Sequence, residues 1–341
     1  MRFVAKQANN GAMSLPDPLS DQQPRRSRIA AIDAARGVAL LAMAIYHFTW
    51  DLEFFGYVEQ GTTAFGWWRL FARCIASSFL VLVGVSLFLA HGQGIRWRPF
   101  LIRLAMVAGA ALAISAATWF LFRPGFIFFG ILHEIALASL LGLAFLRLPA
   151  IVTLAVAALV IATPLFARSA FFDHPALWWL GLSSVDPRSN DYVPIFPWFG
   201  AVLTGIALAR FAKSAGLVDR LSAIALPRTR PLQFIGRHSL AFYLIHQPVL
   251  IGLVWTFAQF FPAAIGTPEV QFRNACEAQC KDVRDEAFCA RYCVCMLDEI
   301  EAQGLSGAVF DNEQSDTLGE QLQGLASSCT RSTDLETEGE P

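Results

Sequence analysis

The stretch RGVALLAMAIYH, residues 36–47, has an arginine at one end and a histidine at the other, with an apolar interior. A histidine can take a proton from an attacking hydroxyl or amine, or accept an acyl group itself. An arginine can grip phosphates through a planar fork of donors. On an α-helix eleven residues turn about 1100°, about 20° past three full turns, so Arg36 and His47 share a face about 16 Å apart along the axis. Asp33 and Asp51 fall on the same face, and the stripe reads Asp33, Arg36, Leu40, Met43, His47, Asp51. Asp51, one turn beyond His47, could hold a ring nitrogen and set its tautomer. The plainer reading has Arg36 snorkelling to the headgroups and His47 bonding a neighbouring helix. It does not account for a polar stripe confined to one face.

Two further segments carry polar groups inside apolar runs. FFGILHEIALASLLG holds His133 and Glu134 side by side. Ionisable groups at that depth need partners or a cavity, and Glu134 could simply pair with a buried arginine. IGRHSLAFYLIHQPVLIG begins with Arg237 and His238, and Ser239, Tyr243 and His246 share one face of its helix. Gln247 stands beside His246, and Pro248 frees a backbone carbonyl. A polar helix–helix contact around the proline is the alternative there. No metal is expected.

These groups need elements to position them. The chain has 341 residues, of which 55% are hydrophobic and only 16% charged, and its mean hydropathy is +0.48. Soluble domains carry about a quarter charged residues, so a soluble enzyme is excluded. A run of about 20 apolar residues crosses the roughly 30 Å hydrocarbon core as a helix. The formal net charge of -1 gives no reason to expect a nucleic-acid partner. The expected fold is an all-α membrane bundle of about seven spans, near 33–54, 70–90, 100–122, 126–146, 149–167, 194–213 and 238–262. In the sixth, Gly200, Thr204 and Gly205 suit close helix packing, and the preceding PWFG element places a Trp at the membrane interface.

Arginines and lysines concentrate on alternate connections, from Arg25, Arg26 and Arg28 through Arg96, Arg98 and Arg147 to the cluster Arg210–Arg237. The positive-inside rule then puts the N-terminus in the cytoplasm and, with seven spans, the C-terminus outside. Residues 1–28 read as a disordered cytoplasmic tail, 29–262 as the membrane domain and 263–341 as an extracytoplasmic Cys-rich tail. In CEAQCKDVRDEAFCARYCVC, Cys276 and Cys280 line one helix face, as do Cys289 and Cys293. A stapled helical hairpin would pair Cys276 with Cys293 and Cys280 with Cys289, and Cys295 and Cys329 could form a third bridge. The rival is a four-thiolate zinc site, for which tighter C-x2-C knuckles are more usual. The final SSCTRSTDLETEGEP reads as disordered.

The R-x10-H pattern of Arg36 and His47 resembles that of the integral-membrane acyltransferases that decorate surface glycans, and GRHSLAFYLIHQPV resembles their late-helix S-x-x-x-Y-L-I-H element. IDAARGVALLAMAIYH, FFGILHEIALASLLG and VPIFPWFGAVLTGIAL look more like the bacterial relatives of heparan-α-glucosaminide N-acetyltransferase. The likeness runs in islands over about residues 29–260. It implies acyl transfer across a membrane, here a bacterial inner membrane with the C-terminus in its periplasm. Arg36 would hold the acyl-CoA donor, acetyl-CoA above all; the donor's phosphates also call for cations at the cytoplasmic mouth, for which Arg36, Arg237 and His238 are the candidates. His47 would be the base or acyl carrier, and His246 matches the late histidine. An extracytoplasmic glycan amine or hydroxyl would be the acceptor. His133 and Glu134 stand where relatives often show a Gln-Arg pair. Seven spans is fewer than these families usually have, and a homodimer could complete the bundle. The rival functions are a proton-coupled transporter that relays through His47, His133, Glu134 and His246, and a non-catalytic envelope assembly protein docking through its Cys-rich tail.

Overall fold

The computed structural model describes residues 29–59, 61–224, 226–263, 268–310 and 315–338, so the N-terminal tail expected over 1–28 lies outside the described residues. Among the described residues every regular element is helical. Six segments are long and apolar enough to cross a membrane. They are α1 (Ala30–Phe54), α2 (Gly66–His91), α3 (Trp97–Leu121), the pair α5 (Ala150–Ala162) and α6 (Pro164–Ala167) and, further on, α7 (Ile195–Ser214) and α10 (Ser239–Phe260). The chain is a multi-pass membrane protein.

The expected fourth span is a shorter element. Its helix α4 (Ile131–Gly142) continues as a 3-10 turn to Phe145, about 22 Å in all against roughly 30 Å of hydrocarbon. Residues 126–130 ahead of it are not helical. Irregular backbone is tolerated at membrane depth only where protein satisfies it. Ser115 Oγ donates to the Ile127 carbonyl at 2.7 Å, and the Ile127 N–H donates to Thr118 Oγ1 at 3.1 Å. Asn190 N–H reaches the Gly125 carbonyl and Val193 N–H the Phe129 carbonyl, at 3.3 and 3.1 Å. The loop before α7 therefore completes what the helix lacks.

Small residues set how closely the helices pack. A Cβ on Gly84 would lie 2.0 Å from the Val202 carbonyl oxygen, and one on Gly205 would lie 2.1 Å from that of Val81. The backbones of α2 and α7 are thus in contact, as the small residues of the sixth span predict. Between α7 and α10 run α8 (Leu217–Ala223) and α9 (Arg230–Arg237). α9 presses against the start of α1, where a Cβ on Gly236 would meet the Asp33 carbonyl oxygen at 1.9 Å. Leu80, Val202, Leu203 and Ile206 are fully buried at the centre of the bundle.

Beyond the bundle, α11 (Pro268–Cys280) and α12 (Glu286–Ala302) form the expected hairpin, and α13 (Ser306–Phe310) and α14 (Asp316–Glu338) follow. Disulfides join Cys276 to Cys293, Cys280 to Cys289 and Cys295 to Cys329. The four hairpin thiols are therefore bridged rather than gathered on zinc. The disorder expected from residue 327 onward is corrected: α14 runs to Glu338, because Leu325 and Cys329 bury against Met296 and Ile300 of α12. Closing a 34-residue loop restricts the unfolded chain by about 2–4 kcal/mol. Cys295→Ser should accordingly make α14 the first segment cut in limited proteolysis, while the Cys276–Cys293 bridge still appears in non-reducing peptide maps.

Candidate active site

Asp33, Leu40, Met43 and Asp51 all bury on α1, so the predicted polar stripe faces the bundle interior. At one end Arg36 Nη1 bonds Asp33 Oδ1 at 3.1 Å, and Arg36 also bonds the Ser86 hydroxyl of α2. Arg237 Nε stands 3.6 Å from Asp33 Oδ2. One carboxylate thus ties two arginines, on α1 and α9, at the wall of a single cavity.

That cavity holds about 900 Å³. Its mouth lies where α1, α3 and α10 begin and α2 and α7 end, among Gln93, Arg96, Lys213, Arg237 and His238. Arg36, Ser86 and Arg103 line it deeper in, and it closes on Leu40, Phe79, Leu132, Ile135 and Tyr243. The cations far outnumber Asp33 and Asp219, so an elongated anion with an apolar tail matches the lining. His238, at the junction of α9 and α10, is tied to α9, its Nδ1 2.9 Å from the Phe234 carbonyl oxygen.

The histidine pair lies beyond the closed end. The rings of His47 and His246 are 5.0 Å apart. His246 Nδ1 sits 2.7 Å from the Tyr243 carbonyl oxygen, which can only accept, so Nδ1 carries the proton and Nε2 holds the lone pair. Nε2 is buried with no hydrogen-bond partner among the described residues. Asp51 is fully buried, but the expected bond to His47 is not formed. Gln247 Nε2 donates to Asp51 Oδ1 at 2.7 Å instead, because α10 packs with Gln247 level with Asp51. Neither His47 nor His246 lines the cavity.

His133 and Glu134 do not join the pair. The Gly130 N–H donates to His133 Nδ1 at 3.1 Å, and His133 Nε2 lies 3.1 Å from Ser115 Oγ. Since that hydroxyl gives its proton to Ile127, Nε2 must donate to it, and both ring nitrogens serve the entry to α4. Glu134 is fully buried and its two oxygens have no hydrogen-bond partner among the described residues, so no arginine pairs with it.

Sequence reasoning did not single out Ser86, Arg103, Lys213 or Asp191. Arg103 stands seven residues into α3, and an ionisable residue inside a span was the signal that could have found it. Asp191 had no such signal. It sits in a loop, yet its Oδ2 accepts the Ile131 N–H at 2.9 Å and the Tyr243 hydroxyl at 3.4 Å.

Residues 28–248 match the family described as heparan-alpha-glucosaminide N-acetyltransferase, catalytic. The chain belongs to this family. The match spans the cavity, the histidine pair and Asp191, and it ends before the disulfide-bonded tail. The heparan-α-glucosaminide N-acetyltransferase family makes a membrane acetyltransferase-like protein of this chain, and the likeness drawn from its four sequence islands holds. No curated protein and no solved structure matches the chain. Among the described residues no group of His, Cys, Asp or Glu is arranged to hold a metal ion.

Proposed function

We propose that this protein moves an acyl group, acetyl above all, from cytoplasmic acyl-CoA to an amine or hydroxyl of a glycan on the other side of the bacterial inner membrane. One observation carries the reading: a cavity lined by Arg36, Arg96, Arg103, Lys213 and Arg237 ends among apolar residues at Tyr243, one helical turn of α10 before His246, whose ring neighbours that of His47. The donor is a substrate with anionic phosphates and a thioester at the end of a long arm. The cations suit its phosphates, and the apolar end suits the arm. His47 takes the proton of the attacking acceptor, or takes the acyl group before the acceptor does. His246, with its lone pair fixed on Nε2, stands beside His47 to receive or share that proton.

The orientation rests on the basic connections around the cavity mouth, which the positive-inside rule assigns to the cytoplasm. Three disulfides in the tail favour an oxidising compartment for the opposite end.

The test is transfer of labelled acetate from acetyl-CoA to an amino-sugar acceptor by proteoliposomes holding the full chain. Transfer is expected, and its absence with a range of amine and hydroxyl acceptors would overturn the reading. Within that assay Arg103→Ala should raise the KM for acetyl-CoA about tenfold while sparing kcat. A charge-assisted hydrogen bond is worth about 1.5–3 kcal/mol, and this one would be made with the ground state and the transition state alike.

A further inference from the structure

Tyr243 occupies a position that the proposed reaction leaves unexplained. It lies at the closed end of the cavity, one turn into α10. Its ring packs against three separate apolar clusters, one centred on α2 and α7, one between α1 and α2, and one between α3 and α4. It also stands 5.8 Å, ring to ring, from His246. Its hydroxyl reaches Asp191, which arrives from the opposite end of the bundle in the loop before α7. Asp191 is anchored in turn by the Ile131 N–H, and only a glycine at 130 leaves it room: a Cβ there would lie 2.3 Å from Asp191 Oδ2. Tyr243 thus stands at the junction of three clusters, tied to a carboxylate that comes from the far side.

We propose that Tyr243, held by Asp191, is the partition between the donor cavity and the far side, positioning the donor's reactive end beneath the histidines and keeping far-side water off it. This deepens the acyl-transfer reading and rests on it. In productive transfer the thioester C–S bond breaks and a C–N or C–O bond forms to the acceptor. The acceptor's proton passes through the histidine pair and ends on the departing sulfur. With the partition open, water takes the acceptor's place, and the products are free acid and thiol. A leaking partition therefore raises hydrolysis relative to transfer. A merely structural lesion lowers both together.

Two measurements test this on the full chain in proteoliposomes. The first compares thiol release without acceptor to acyl transfer with acceptor. Tyr243→Ala should raise the ratio of hydrolysis to transfer at least tenfold, and Tyr243→Phe, which keeps the ring, should raise it less. Asp191→Ala should raise it too, and Asp191→Asn, whose amide oxygen can still accept from Tyr243 and Ile131, should restore most of the loss. An unchanged ratio in Tyr243→Ala and Asp191→Ala overturns the proposal while leaving acyl transfer standing. The second measurement needs no activity. In a Cys74→Ser background, Ile135→Cys should react with an impermeant maleimide added on the side of the 168–194 loop only when Tyr243→Ala is also present. Labelling with Tyr243 intact, or none in its absence, overturns the partition even if the acyl-transfer reading itself fails. If the alanine variants do not fold, Tyr243→Phe carries the test: loss of the hydroxyl's bond to Asp191 should still raise the ratio, and an unchanged ratio overturns the proposal.

Discussion

His47→Ala is expected to abolish acyl transfer, lowering kcat by at least about 10²-fold, in a protein that still inserts and forms its three disulfides. The ring of His47 lies beside that of His246, and Asp51 is engaged by Gln247 rather than by His47. The neighbour available to shape the chemistry of His47 is therefore the second histidine. His246→Ala should also be strongly impaired. The double variant should be little worse than His47→Ala, since groups that act as a unit lose their effect together. The readout is labelled acetyl transfer in membranes with the protein amount matched. Wild-type activity in His47→Ala would remove this residue from the mechanism.

Gly236→Val should prevent stable folding. A Cβ at 236 would lie 1.9 Å from the Asp33 carbonyl oxygen and 3.1 Å from the Gly37 nitrogen. Both are backbone atoms, so α9 has to move away from α1. Overpacking of this kind costs about 1–3 kcal/mol even where the neighbours can yield, and here the shift also parts Arg237 from Asp33. The matched control is Gly252→Val in α10, where a Cβ would meet nothing within 4 Å. Detergent-solubilised yield and melting temperature should fall for Gly236→Val and hold for Gly252→Val. Equal behaviour of the two variants would show that the α1–α9 contact does not limit stability.

Much of this could be read from the residues. The stripe on α1 follows from helical spacing alone, and burial of Asp33, Leu40, Met43 and Asp51 bears it out. The C-x3-C pairs led to the right hairpin bridges because two short helices leave few ways to join them. What sequence could not give were the choices made between distant segments. Asp51 had His47 within reach along its own helix, but Gln247, 196 residues away, made the bond. Asp191 looked like an ordinary loop residue until the short α4 brought its first N–H to it. The apolar run around α4 was long enough for a full span, and its lead-in stays irregular because α3 and the 190–193 segment satisfy its peptide groups. The terminal helix looked like disorder because its composition is polar. Leu325 and Cys329 nevertheless bury against Met296 and Ile300 of α12, and that is a tertiary outcome.

The cavity also has an electrical consequence. It follows α1 from Ile29 to Leu40, about 16 Å of helix, and a water-filled cleft of that depth conducts where lipid would insulate. A transmembrane voltage then falls mainly over the remaining thickness, between Tyr243 and the far-side loops, at about 2.3 kcal/mol per elementary charge per 100 mV across the full drop. Any proton that passes between the His47–His246 pair and the opposite side crosses most of that field. In a complete transfer the acyl group goes one way and the acceptor's proton the other, so no net charge crosses that field, and turnover in energised vesicles would be indifferent to membrane potential even though each half of the exchange is not.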